Sequence, residues 1–183
     1  MQHCVLSLDL GRKLGWAIAQ HNAIDEWPEA VPGATGPFHG VGYGTRHLAG
    51  DPVTVELDQF LENVVATYGV TIISFERPLG HHKSQAQARL SAMLRGGIVA
   101  FCERHKPEPL RCLSEHPATI KKHFTGNGRA TKDDMIDRCR QRGWRPETAD
   151  EADALAMLDM TVVLLFVAKR NRRGAIVGLE RVA

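Results

Sequence analysis

Four acidic residues occupy positions from which they could act together. Asp9 lies inside the apolar run VLSLDL, and Glu76 ends the apolar run IISFE. Asp150 and Asp153 lead a long apolar segment, and their spacing of three places both carboxylates on one face of a helix. Because an unpaired carboxylate among apolar neighbours is costly, inward-facing acids of this kind need a positively charged partner.

We expect this partner to be a divalent metal, because the pattern indicates no fixed cation among the four acids. Mg²⁺ prefers oxygen ligands and keeps several waters, so two or three carboxylates can hold each ion. Two ions about 3.5–4 Å apart can clamp the attacking and leaving oxygens of a phosphodiester. The adjacent residues His81 and His82 lack the spacing of one helical turn that would suggest a competing metal site. The predicted ligands are Asp9, Glu76, Asp150 and Asp153.

Each acid also has an ordinary structural explanation. Asp9 could bond to turn amides, Glu76 could be an exposed strand end, and Asp150 could be a helix N-terminal acid favoured by the helix dipole. Glu147 and Glu151 fit the last explanation best. The combined pattern favours the metal site, since functional groups of α/β sheets gather where the strands end.

The elements that must position these acids are those of an α/β layer fold. Short apolar runs predict strands at 5–10, 14–20, 41–43, 70–76 and 109–114, and helical periodicity predicts helices at 53–68, 84–105, 118–124, 131–141 and 148–170. Residues 27–44 are rich in glycine and proline and predict a loop. This order predicts a mixed five-stranded sheet flanked by helices. We expect one domain over residues 1–170 and a basic tail over 171–183.

Composition narrows the class of protein. The chain has 183 residues, of which 43% are apolar and 24% charged, as in an ordinary globular domain. Its four cysteines are scattered without a C-x-x-C pair, which favours a reducing, cytoplasmic setting. The N-terminus has no charged leader before its apolar run, and the longest uncharged apolar run, MTVVLLFVA, is about half of a bilayer span. We therefore expect neither a signal peptide nor a membrane partner.

Positive charge is concentrated in one part of the sequence. Between Pro117 and Arg145 there are eight basic and three acidic residues, and the tail adds KRNRR. A local excess of this kind suggests a polyanionic partner, with nucleic acid ahead of membrane, although charge runs are usually solvated faces.

Four blocks of the sequence resemble a known family. LSLDLGRKLGWAI, IISFERPLG, IKKHFTGNGRATKDDM and DEADALAM occur in the order and approximate spacing of the RuvC-type Holliday junction resolvases, which belong to the ribonuclease H-like nuclease superfamily. The resemblance extends from Val5 to Leu165. The first block alone is weak, because D-x-G-x-x-x-G also opens sugar kinases and actin-like ATPases, but the four together are specific.

The resemblance implies a Mg²⁺-dependent endonuclease, with two ions per site and Mn²⁺ as a substitute, that nicks branched DNA to leave 5′-phosphate and 3′-hydroxyl ends. It places Lys121 and Lys132 near the scissile phosphate, where a lysine can neutralise developing charge. Ordinary surface lysines are the alternative. It also implies a homodimer packed through the helix from Ser84 to His105, whose two-fold symmetry would match that of a four-way junction. No small-molecule cofactor is implied.

Two departures from the family bear on the substrate. Residues 27–47 do not resemble the compact hairpin of bacterial members, and the loop RPLGHHKSQAQ lacks an aromatic residue that could wedge between bases. Such divergence would suit a phage or prophage member with broader substrates, including flaps and forks. The predicted DNA contacts are His81, His82, Lys83, Lys122 and Arg129.

Two other functions stay open at this point. A nucleotide-binding or non-catalytic protein of the kinase and actin-like group would use DLGRKLG to hold phosphate, although such proteins normally need two lobes. A ribonuclease H activity on RNA–DNA hybrids would use the same acid cluster.

Overall fold

A mixed β-sheet lies at the centre of the computed structural model, which describes residues 3–20, 41–50, 52–77, 84–105, 107–170 and 180–181, without the side chains of 166–170 and 180–181. The strands are β1 (Val5–Asp9), β2 (Lys13–Ala19), β3 (Val41–His47), β4 (Ile72–Glu76), β5 (Arg111–Glu115) and the two-residue β6 (Glu180–Arg181). Their spatial order is β3-β2-β1-β4-β5-β6. Strands β1, β4 and β5 are mutually parallel, while β2, β3 and β6 run antiparallel to their neighbours.

Five helices complete the described fold: α1 (Val53–Tyr68), α2 (Gln85–Arg104), α3 (Pro117–Thr125), α4 (Lys132–Gln141) and α5 (Ala149–Arg170). Their ends follow from local chemistry. Helix α1 ends at Gly69, whose φ of 66° is a conformation that glycine adopts without strain. Helix α2 begins after Ser84, whose hydroxyl accepts from the Gln87 amide, and α4 begins with a capping box formed by Thr131 and Asp134.

The sheet separates two apolar cores. Because successive side chains of a strand point to opposite faces, Val5 packs with the core on the α5 side, whereas Leu6 and Leu8 pack with the core on the α1 and α2 side. Helix α5 is apolar around most of its circumference, as expected of a helix buried between other elements. The same alternation places Asp9 and Glu76 on the face that α5 covers.

These elements confirm the predicted mixed five-stranded sheet with flanking helices, with strand and helix ends within a few residues of the prediction. The short strand β6 is an addition, because it pairs a segment of the predicted tail with β5. Most of the predicted loop at 27–44 lies outside the described residues, and the third strand is longer than predicted. None of the helices in the described part of the chain combines the length and apolar character needed to cross a bilayer.

Candidate active site

Two neighbouring strands bring the first two acids together. Strands β1 and β4 are parallel, with Leu8 in register with Phe75, and Asp9 and Glu76 are the next residue of each strand. Both carboxylates therefore leave the sheet at its carboxyl edge and on the same face. The apolar run that contains or precedes each acid was the signal that found them.

The first turn of α5 brings the other two acids to this edge. Glu151 accepts a hydrogen bond from the Glu147 amide at 2.7 Å and donates its own amide to Thr148 Oγ1 at 3.2 Å, so Glu151 caps the helix as expected. Strand β2 lies so close to this turn that a Cβ on Gly15 would overlap the carbonyl oxygen of Asp150. Gly15 thus lets the helix start lie directly on the sheet.

The acids perturb one another strongly. Burial, followed by the charges of Glu76, Asp153 and Asp150, raises the pKa of Asp9 well above its usual range. Burial and the charge of Asp153 raise the pKa of Glu76 to about 7. Burial is also the main cause of the raised pKa of Asp153. The cluster therefore holds more negative charge than its surroundings compensate.

Cations are nevertheless present, contrary to the expectation that none is fixed among the acids. Lys121 lowers the pKa of both Glu76 and Asp153, and Lys132 acts in the same way on Asp153 and Asp9. Lys13 Nζ lies 3.5 Å from Asp150 Oδ2. The expectation was wrong because the fold brings these lysines to the acids from β2, α3 and α4; of the three, the resemblance had placed Lys121 and Lys132 near the site.

The donor chemistry of this cluster fits a hard divalent ion. All four side chains offer carboxylate oxygens, and excess negative charge in a partly buried site is what such an ion would compensate. Across the residues that the structure describes, however, no three histidine, cysteine, aspartate or glutamate side chains are grouped closely enough for a ready-made metal site. Two effects keep the carboxylates apart: they repel one another, and Lys13 pairs with Asp150.

The predicted phosphate and DNA contacts are distributed unevenly. Lys121 donates to the Ala130 carbonyl at 3.0 Å, which ties α3 to the loop before α4. Lys122 on α3 and Arg129 in that loop are exposed. His81, His82 and Lys83 lie outside the described residues.

Part of the predicted basic region serves the fold instead. Arg138 Nε donates to the Phe124 carbonyl at 2.9 Å, and the buried Arg142 donates to the buried Asp159 at 3.3 Å. Arg140 pairs with Asp137 on the surface. A charge run in the sequence therefore overstated the free positive surface, because the count does not distinguish structural arginines from exposed ones.

A buried hydroxyl network behind the acids was not predicted. Ser7 and Ser74 are in register on β1 and β4, with their Oγ atoms 2.6 Å apart, and Thr161 of α5 donates to Ser74 Oγ at 3.1 Å. All three side chains are fully buried. Each serine stands two residues before an acid on an otherwise apolar strand, and this repeated spacing could have revealed the network.

The mixed sheet with its flanking helices is a fold that the chain shares with solved RuvC resolvases. Thermus thermophilus RuvC matches with a TM-score of 0.63 at 14% identity, over 92% of this chain and 96% of that one. The same protein in complex with a Holliday junction substrate matches with a TM-score of 0.65 at 16% identity and the same coverage. The yeast mitochondrial Holliday junction resolvase matches with a TM-score of 0.59 at 13% identity, over 93% of this chain and 81% of that one.

Sequence similarity points to the same family over a shorter stretch. The chain is 41% identical over 68 residues to the crossover junction endodeoxyribonuclease RuvC of Anaeromyxobacter sp. strain Fw109-5, and 52% identical over 42 residues to that of strain K. These segments span 31% and 23% of the two relatives. No family model matches the chain. The comparisons confirm the predicted resemblance to RuvC-type resolvases.

Proposed function

We propose that this chain is a metal-dependent endonuclease that nicks branched DNA and resolves Holliday junctions by paired, symmetric hydrolysis. One observation carries the proposal: Asp9 and Glu76 at adjacent strand ends share a mutually repelling, partly buried cluster with Asp153 at the start of α5. This cluster lies on a fold shared with RuvC. The names of the similar proteins support the substrate, and the acid cluster supports the chemistry.

In this proposal Asp9, Glu76, Asp150 and Asp153 hold Mg²⁺, or Mn²⁺ in its place. When bound, the ions supply a water of lowered pKa and stabilise charge on the leaving oxygen. Lys121 and Lys132 lie close enough to the carboxylates to lower their pKa values. Their ammonium groups can therefore neutralise charge on the phosphoryl oxygens of a substrate in this site. The buried contact between α5 and the strands keeps the carboxylates aligned.

We also propose that two copies of the chain pack through α2. One face of α2 packs into the apolar core beside the sheet. On the other face Met93 is 46% exposed, and Ala92, Gly96 and Ala100 are exposed with it. A Cβ on Gly96 would meet nothing within 4 Å, so another backbone could approach closely there. Such a pair would present two sites to the two symmetric strands of a junction. We expect it to work in the cytoplasm, a location that the four free cysteines support.

The decisive experiment compares cleavage of a labelled four-way junction, a flap, a linear duplex and an RNA–DNA hybrid with Mg²⁺ or Mn²⁺. We expect paired nicks in the junction that a ligase can reseal, because the products carry 5′-phosphate and 3′-hydroxyl ends. Weaker cleavage of flaps is consistent with the proposal, and the linear duplex should stay intact. Cleavage of the hybrid alone would replace the proposal with a ribonuclease H activity. ATP hydrolysis without DNA cleavage would favour the nucleotide-binding alternative.

A further inference from the structure

One residue of the candidate site has no assigned role. Lys13 opens β2, just beyond the turn that follows Asp9, and its ammonium lies 3.5 Å from a carboxylate oxygen of Asp150. The Lys13 side chain is 48% exposed and that of Asp150 is 27% exposed. This pair is therefore open to solvent, whereas Asp9 and Glu76 have pKa values raised mainly by burial.

The backbone fixes where this pair forms. Gly15, two residues along β2, lets the strand approach the Asp150 carbonyl, so Asp150 is held beside the start of β2 whatever its side chain does. The lysine side chain is flexible and carries a compact charge that can move between partners. An exposed ion pair contributes little stability, so a competing cation can displace it.

We propose that Lys13 is an exchangeable cation: it occupies Asp150 in the metal-free protein, yields that carboxylate to a divalent ion, and then binds a DNA phosphate beside the site. This inference rests on the proposed function, because it assigns Asp150 to the metal. Lys13 is then a positioning residue that keeps Asp150 paired until metal arrives. Metal binding and DNA binding then favour each other, because the metal ion displaces the Lys13 ammonium from Asp150 and leaves it able to pair with a DNA phosphate.

The first test measures Mn²⁺ binding to the metal-free full chain by titration calorimetry, without DNA. Lys13→Gln should bind Mn²⁺ about two- to fivefold more tightly, which is the upper part of the range that follows from losing one competing exposed ion pair. Lys13→Arg keeps a cation and should stay within about twofold of the unaltered protein. Arg140→Gln, which removes the cation of a surface pair with Asp137, is the matched control and should also stay within that range.

The second test measures junction binding against salt concentration, with Ca²⁺ or with a chelator. With Ca²⁺, Lys13→Gln should lower the salt slope by about one phosphate contact, and with chelator the slope should not change. Unchanged or weaker Mn²⁺ binding by Lys13→Gln, with the fold intact, would overturn the competition and leave Lys13 a structural clip. Tighter Mn²⁺ binding with an unchanged slope would overturn the transfer to DNA.

Failure of this inference can be told apart from failure of the proposed function. If the unaltered protein cuts the junction while Lys13→Gln shows unchanged Mn²⁺ affinity, the role of Lys13 alone is refuted. If the unaltered protein neither binds Mn²⁺ nor cuts any DNA, the nuclease proposal falls, and the role of Lys13 falls with it.

Discussion

The carboxylates of the candidate site differ in how their charge is compensated. Asp9, Glu76 and Asp153 have pKa values raised chiefly by burial and lowered in part by lysines from two helices. Asp150 has a side chain that is 27% exposed, and it pairs with Lys13. A cluster that repels itself is maintained at a cost in stability, which is a recognised feature of functional sites. The consequences appear when one charge is removed or titrated.

Replacing Asp153 with asparagine should abolish junction cleavage while the fold and junction binding survive. The amide keeps the shape of the side chain but removes one of the negatively charged ligands that the proposed ions need, so no cleavage above background is expected. Junction binding should hold or improve, because one charge that repels phosphate is gone. Cleavage and gel-shift assays on one labelled junction measure both effects. Asp137→Asn, at an exposed acid on α4, is the matched control; loss of binding by Asp153→Asn without unfolding would contradict the role.

The stability of the metal-free protein should fall as pH rises through the titration of Glu76. Its pKa in the folded protein is about 7, above the usual 4.5, so the folded state holds this proton more tightly than the unfolded state. Below pH 4.5 both states are protonated and the effect vanishes. Between these values the unfolded state loses the proton first, and stability decreases by about 3 kcal/mol in all.

Denaturant unfolding in the presence of a chelator, at a series of pH values, measures this dependence. Glu76→Gln cannot lose a proton, so its stability should be flatter across the window and higher than that of the unaltered protein at pH 8. Equal slopes for the two proteins would show that Glu76 does not titrate in this range.

The four acids could be singled out from the sequence because each lies in a local pattern, either an apolar strand run or a helical spacing. Asp9 and Glu76 end apolar strands, and the spacing of Asp150 and Asp153 is helical. Lys13 could not be assigned, because its contact with Asp150 joins residues 137 positions apart through the docking of α5 on β2. The role of the four acids as metal ligands stays a prediction.

At the scale of elements, α5 aligns the site by its contacts with the sheet. Its first turn lies on Gly15 of β2, and about three turns further on Thr161 reaches the serine pair of β1 and β4. The continuous apolar run predicted this helix and its length well, because a helix that is buried on most sides needs apolar residues all round. It could not predict the closeness of the contact with β2, which depends on a missing side chain at one position of the neighbouring strand.

Gly15→Ala should therefore weaken both stability and cleavage. Its Cβ would overlap the backbone of Asp150, so the start of α5 must move away from β2. Overpacking of this kind typically costs about 1–3 kcal/mol, and a displaced Asp150 should lower metal affinity as well. Gly97→Ala in α2 is the control, because its Cβ would lie at an ordinary 3.6 Å from Leu57 Cδ2. Thermal unfolding and Mn²⁺ binding measure the two effects, and an unaltered Mn²⁺ affinity would refute the role of Gly15 in placing Asp150.

At the scale of the whole molecule, fold similarity extends much further than sequence similarity. The RuvC structures match over 92% of the chain at 14–16% identity, whereas the segments matched in the two RuvC sequences span 37% and 22% of the chain. A buried strand or helix needs only an apolar pattern, so its residues can change while the architecture persists. The predicted contacts at His81, His82 and Lys83 lie outside the described residues. The preferred substrate must therefore be determined by the cleavage assay.

At the same scale, the proposed two-fold assembly through α2 gives the most direct test of junction resolution. Met93→Glu places a charge on the exposed face of α2, where a second copy would pack, and should convert a dimer into a monomer. Val55→Glu on α1 is the matched control, since Val55 is 50% exposed and lies outside the proposed interface. Sedimentation measures the mass of each variant.

A supercoiled plasmid with one cruciform then reports how the cuts are coupled. Two nicks made within the lifetime of one complex give linear plasmid, whereas single nicks relax the cruciform and leave an open circle. The unaltered protein and Val55→Glu should give linear product, and Met93→Glu should give open circles at an undiminished rate of first nicking, because each acid cluster belongs to one chain. Linear product from a monomeric Met93→Glu protein would refute the assembly through α2 and, with it, the geometric basis of paired cleavage.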